Sequence, residues 1–157
     1  MIDAREVRSR VEAVPDPELP WVTISDLGVL RSTHIALGRA VVEITPTWSG
    51  CPAMDAIRES IRLVLGEAGF TPEQMEINTT FSPAWTTDDI TDAGRRKLAQ
   101  AGIAPPRTPA EQPLGETLCP RCQSTGVRQV SEFGSTPCKA LMVCRSCLEP
   151  FDRFKEL

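Results

Sequence analysis

The chain has 157 residues, 41% of them hydrophobic and 24% charged, with a net charge of −4. That length fits one medium domain or a small domain with an appendage, and the balance is that of an ordinary soluble protein. No apolar run approaches a membrane span and Met1–Glu6 lacks the apolar centre of a signal peptide, so a cytoplasmic location is expected and a membrane partner is not.

The first helix is predicted from Ala4, Val7, Val11 and Val14 at helical spacing, with Asp3 as N-cap and Glu6 three residues on. Asp16-Pro-Glu-Leu-Pro20 must end it, because proline cannot continue the hydrogen-bond ladder. Two β-prone runs follow, residues 29–35 and 40–45, joined near Gly38. Pro52 suits the start of a second helix, whose apolar face is Ile57, Ile61, Val64, Leu65 and Ala68, with Gly69 as its stop. Residues 75–81 alternate enough for a third strand, and residues 92–101 read as a mostly polar helix. The sum is an α+β lobe, a short sheet backed by helices, over residues 1–104.

A proline-rich linker follows over residues 105–117, with Pro105, Pro106, Pro109 and Pro113 and no apolar periodicity. The tail, residues 118–157, is near the size below which an apolar core alone seldom suffices. Its expected strands are residues 127–133 and 140–143.

The tail carries two Cys-x-x-Cys pairs, Cys119/Cys122 and Cys144/Cys147, separated by a spacer slightly longer than the usual zinc-ribbon range. Four thiolates at one point suit a tetrahedral ion and leave no open position, so the metal is expected to be structural. Zinc is the first choice, and iron in the same cage is not separated from it by ligand type. Such a metal would supply on the order of 10 kcal/mol of folding free energy.

Cys51 lies where a strand end opens the second helix, in Thr45-Pro-Thr47-Trp-Ser-Gly-Cys51-Pro52. A helix N-terminus favours thiolate, and Asp16, Glu18 and Asp26 stand in loops able to gather there. One reading is a transient metal or cluster ligand helped by carboxylates and threonine hydroxyls. The other is a small buried hydrophobe with the carboxylates as solvated caps. Residue types alone leave the two level. Cys138 is either a packing residue or an accessory thiol beside Lys139. His34, the one histidine, sits on a strand and gives no second member for a Cys–His nucleophile. Trp85 follows the third strand and would cover the sheet edge, shield Cys51 or anchor a partner.

Charge weighs against nucleic acid. Up to Ala104 ten Lys+Arg face fifteen Asp+Glu, and from Pro105 seven face six. An acidic first part does not suit a phosphate backbone.

These segments together resemble the PaaD (PaaJ) family of the phenylacetate-degradation system. The carrying residues are Asp16-Pro-Glu18, Ser25-Asp26-Leu27-Gly28, Thr45-Pro-Thr47 with Gly50-Cys51-Pro52, Pro83-Ala-Trp85-Thr86-Thr87-Asp88 and Gly94-Arg-Arg-Lys97. In the tail they are the two cysteine pairs, Phe133-Gly-Ser-Thr136 with Cys138-Lys-Ala-Leu141, and Glu149-Pro-Phe-Asp152. The first lobe alone resembles the wider family that includes SufT-like iron–sulfur assembly proteins. The resemblance implies a MIP-type α+β lobe with a zinc-ribbon-like appendage, and an accessory role in the multicomponent phenylacetyl-CoA ring 1,2-epoxidase. It implies that Cys51 is the functional thiol, with Asp16, Glu18, Asp26, Thr45 and Thr47 around it. It further implies transient iron or iron–sulfur handling for a di-iron oxygenase subunit or an iron–sulfur reductase, with no catalysis by this chain itself. The alternatives are a zinc-ribbon module binding nucleic acid or protein, and a thiol enzyme using Cys51 or Cys138. Whether two copies associate is left open.

Overall fold

Residue patterning sets the first lobe. The computed structural model describes residues 3–106 and 117–155. Helix α1, Ala4–Glu12, buries Val7 and Val11, and its N-cap Asp3 accepts a hydrogen bond from the Arg5 amide. Glu6 turns instead to Arg10, 2.7 Å away. Strands β1 (Leu30–Ala36) and β2 (Arg39–Ile44) form an antiparallel hairpin. Its two-residue turn places Leu37 at φ 51° and Gly38 at φ 76°, the left-handed pair that matches strand twist. Helix α2, Ala53–Glu67, then crosses to β3, Met75–Thr79, which pairs parallel with β2. The sheet order is β1-β2-β3. Val42 and Ile44 of β2 and Ile57, Ile61 and Leu65 of α2 fill the core with α1.

Residues 13–29 hold no regular element, yet Val14, Leu19, Val22, Ile24, Leu27 and Val29 are all buried. Their backbone groups pair locally, with Asp16 N on Val22 O at 2.8 Å and Ile24 N on Val14 O at 2.9 Å. A buried loop must satisfy its amides in this way.

By contacts, the second compact unit runs from Asp92, whereas the composition shift points to Ala104/Pro105. The reason is a strand too short to announce itself. Helix α3, Asp92–Gln100, leads into β4, Ile103–Ala104, which pairs parallel with β7, Pro150–Phe154. Strands β5 (Val127–Ser131), β6 (Lys139–Cys144) and β7 complete a four-stranded sheet in the order β4-β7-β6-β5. Residues 107–116, most of the expected linker, lie outside the described residues.

Among the described residues no helix is long and apolar enough to cross a membrane. The architecture is α+β in both units.

Candidate functional site

The tail's four cysteines meet because two tight turns of the same form face each other. In each Cys-x-x-Cys the amide one residue past the second cysteine bonds the first cysteine's carbonyl: Gln123 N on Cys119 O at 2.9 Å, Leu148 N on Cys144 O at 3.1 Å. Gln123 and Leu148 take positive φ, 61° and 64°, which lets each turn fold its sulfurs inward. The pairs approach with Cys119 Sγ 3.7 Å from Cys147 Sγ and Cys122 Sγ 3.5 Å from Cys144 Sγ. All four sulfurs lie within 4.8 Å of one another. Tetrahedral zinc–thiolate bonds of about 2.3 Å put sulfurs roughly 3.8 Å apart, so the donor set fits the ion in number, type and spacing.

Electrostatics agree. The amides of Cys147 and Ser146 point at Cys144 Sγ, at 3.5 and 3.3 Å. They draw the Cys144 thiol down to about 6. The Glu149 amide favours a Cys147 thiolate, but burial and the neighbouring sulfurs push that thiol up to about 12. Neighbouring thiolates cannot all ionise unaided, and a central cation removes the conflict. Cys119 and Cys144 also join the unit's apolar core with Ala104, Met142 and Phe151. The quartet is therefore a metal site built into a core.

Cys138 is half-buried beside Thr136 Oγ1, 3.0 Å away. Its neighbour Lys139 is buried and pairs with Asp152 across β6 and β7 at 3.7 Å. The lysine thus serves the sheet, consistent with Cys138 as a packing residue.

Cys51 sits where three loops leave one end of the first sheet. Leu30 and Thr79 both pair with Ile44. The loop entering β1, the loop leaving β2 and the loop leaving β3 therefore share that end. Thr45 N on Val29 O and Thr80 N on Ile44 O, at 2.8 and 2.9 Å, fasten them. Cys51 is half-exposed and its sulfur accepts from the Ala53 amide in the first turn of α2. The sequence predicts a thiol favoured as thiolate by this helix end, and the balance falls the other way. Burial raises the Cys51 pKa most, and Glu18 and then Asp16 raise it further. The Ala53 amide and Thr47 hydroxyl act against them and are outweighed.

Asp16, Glu18 and Thr47 are thus brought to Cys51. Asp16 has a second task, since its Oδ1 accepts from the Glu18 and Leu19 amides at 2.8 and 2.9 Å. Asp26 is committed elsewhere: its Oδ2 accepts from Thr23 N while its own amide bonds Thr23 Oγ1, both at 3.0 Å. Thr45 is fully buried at the strand end. Among the described residues, the ligand atoms of Cys51 and these carboxylates do not converge into a cage like the quartet's. His34 is exposed on β1.

Sequence patterning missed what locks this end. The Arg31 guanidinium reaches Asp89 at 3.3 Å and the Pro83 carbonyl at 3.2 Å. Gly28, at φ 71°, lies so near Asp89 that a Cβ would overlap its carbonyl. The Gly in Ser25-Asp-Leu-Gly28 was the available signal.

Residues 104–155 match the family described as the PaaD zinc beta ribbon domain, and residues 4–73 the family described as iron–sulfur cluster assembly protein. An Escherichia coli K12 protein, named as a component of 1,2-phenylacetyl-CoA epoxidase, is 44% identical over 96% of this chain and 91% of its own. A Porphyromonas gingivalis protein named Fe-S protein maturation auxiliary factor is 33% identical over 56% of this chain and 83% of its own. The crystal structure of a DUF59 domain from Bacillus anthracis superposes with TM-score 0.53 at 28% identity, covering 60% of this chain and 90% of that one.

Proposed function

The chain belongs to the PaaD family, and on that premise we propose that it is an accessory subunit of a phenylacetyl-CoA epoxidase that helps assemble an iron or iron–sulfur centre. The two sulfur sites then do different work. Cys119, Cys122, Cys144 and Cys147 hold a structural ion, for which zinc is the choice, because a closed four-thiolate shell leaves nothing for a substrate to bind. Cys51 is the exchangeable ligand for iron cargo.

The observation that supports this division is the contrast between a closed quartet and one half-exposed thiol beside Glu18, Asp16 and Thr47. A thiol kept protonated at rest binds metal only by releasing its proton, so metal binding stays reversible. Incomplete ligation leaves positions for the receiving protein to fill. The clients in this proposal are the di-iron oxygenase subunit or the iron–sulfur reductase, met in the cytoplasm.

Co-expression of the remaining epoxidase components with wild type and with Cys51→Ala tests this. We expect Cys51→Ala to lower the iron content and epoxidase activity of the recovered components while its own tail keeps one metal. Equal iron and activity with both would overturn the proposal.

A further inference from the structure

The three loops around Cys51 carry an uncommon group of exposed aromatic side chains. Trp21 is 49% exposed on the loop entering β1, Trp48 is 36% exposed on the loop leaving β2, and Phe81 is 64% exposed on the loop leaving β3. Tryptophan is among the residues most buried on average, and the chain shows that it can bury one here: Trp85, on the same third loop, is 5% exposed. Three large aromatics left in water, each on a loop that reaches the same end of the sheet, are the candidate components of a binding surface.

Charge indicates the occupant. Residues 1–91 contain fourteen Asp+Glu against seven Arg and no Lys. At this end Arg31 is taken up by Asp89 and Pro83 O, and Arg58 by Asp55 and Thr79 Oγ1. Glu18, Asp16 and exposed Asp88 stand on the same loops as the aromatics. The field of Glu18 and Asp16 is felt at Cys51 itself, whose proton they help retain. Burying a second copy's identical carboxylates against these would set like charges face to face, which is costly. A partner with lysine or arginine flanking an apolar anchor meets both features.

We infer that Trp21, Trp48 and Phe81 form a docking surface for a basic segment with an apolar anchor, presented by the protein that receives the metal. The inference rests on the proposed accessory role. The aromatics supply the desolvated contact area, as Trp does at interface hot spots, and the carboxylates set approach and register. Docking on them brings the partner's ligands to the open side of Cys51.

Tryptophan emission reads this surface directly. The probes are the purified remaining epoxidase components, added one at a time to the zinc-loaded full chain. One of them should blue-shift the emission, with affinity falling several-fold as salt rises from about 50 to 300 mM. Trp21→Ala with Trp48→Ala removes those fluorophores, so its affinity is read by isothermal titration calorimetry beside wild type, where it should fall at least tenfold with unchanged circular dichroism and metal content. Leu63→Ala, at an exposed residue of α2 outside the three loops, should bind as wild type does. The iron content of the recovered components is read separately, so that a failed metal-transfer role and a failed docking surface give different results. The inference is overturned if no component binds, if the double variant binds normally, if binding is indifferent to salt, or if sedimentation shows that the surface pairs two copies of this chain instead.

Discussion

The indole Nε1–H of Trp85 donates to the carbonyl of Leu27 at 2.8 Å. The bond joins the loop leaving β3 to the end of the loop entering β1, and so closes one side of the Cys51 end. Trp85 is buried as it does so, which makes it a tie rather than a partner anchor. Trp85→Phe keeps most of the packing and strands the Leu27 carbonyl. We expect a loss of about 1–3 kcal/mol in urea unfolding, against about 3–5 kcal/mol for Trp85→Ala.

Cys51 should alkylate slowly at neutral pH, with a rate that rises only above the ordinary thiol range, because burial and the Glu18 and Asp16 carboxylates favour its protonated form. Glu18→Gln removes one negative charge. The Cys51 pKa then falls, the thiolate fraction at pH 7.5 grows, and iodoacetamide labelling, followed by peptide mass mapping, speeds up. A slower or unchanged rate would show that Glu18 does not act on the thiol.

Metal removal should unfold the second unit. Its core includes Cys119 and Cys144, and thiolate–metal bonds contribute on the order of 10 kcal/mol to such small units. Cys119→Ser or a strong chelator should abolish stoichiometric metal and reduce the β signal of the tail. Elemental analysis of anaerobically purified protein reports zinc or iron.

The Lys139–Asp152 pair should respond asymmetrically. Lys139 is 4% exposed, and Asp152 also accepts from Ser135 Oγ at 2.7 Å. Asp152→Ala leaves a buried ammonium uncompensated and should cost about 3–5 kcal/mol, whereas Lys139→Met keeps the volume and should cost less. Thermal unfolding of the zinc-loaded chain compares them.

Gly28→Ala should destabilise by more than about 1 kcal/mol in the same assay. It combines a left-handed backbone with an overlap on the Asp89 carbonyl.

The cysteine quartet, the break after α1 and the β-α-β order of the first lobe were legible in the amino-acid sequence, because each rests on local chemistry. Paired thiols at short spacing must turn on themselves, Pro17 and Pro20 cannot extend a helix, and the apolar stripe of α2 needs a sheet beneath it. Two-residue β4 had no periodicity to read, and its partner β7 lies nearly fifty residues away, so the division at Thr91/Asp92 depended on a pairing that no window contains. The sign of the Cys51 shift was equally out of reach. A helix N-terminus is a local feature, but burial and the carboxylates of Glu18 and Asp16 arrive through the sheet register that sets three separate loops side by side. Which thiols bind together was written in the chain, whereas which charges face the remaining one was decided in space, because electrostatic energy follows distance rather than sequence separation.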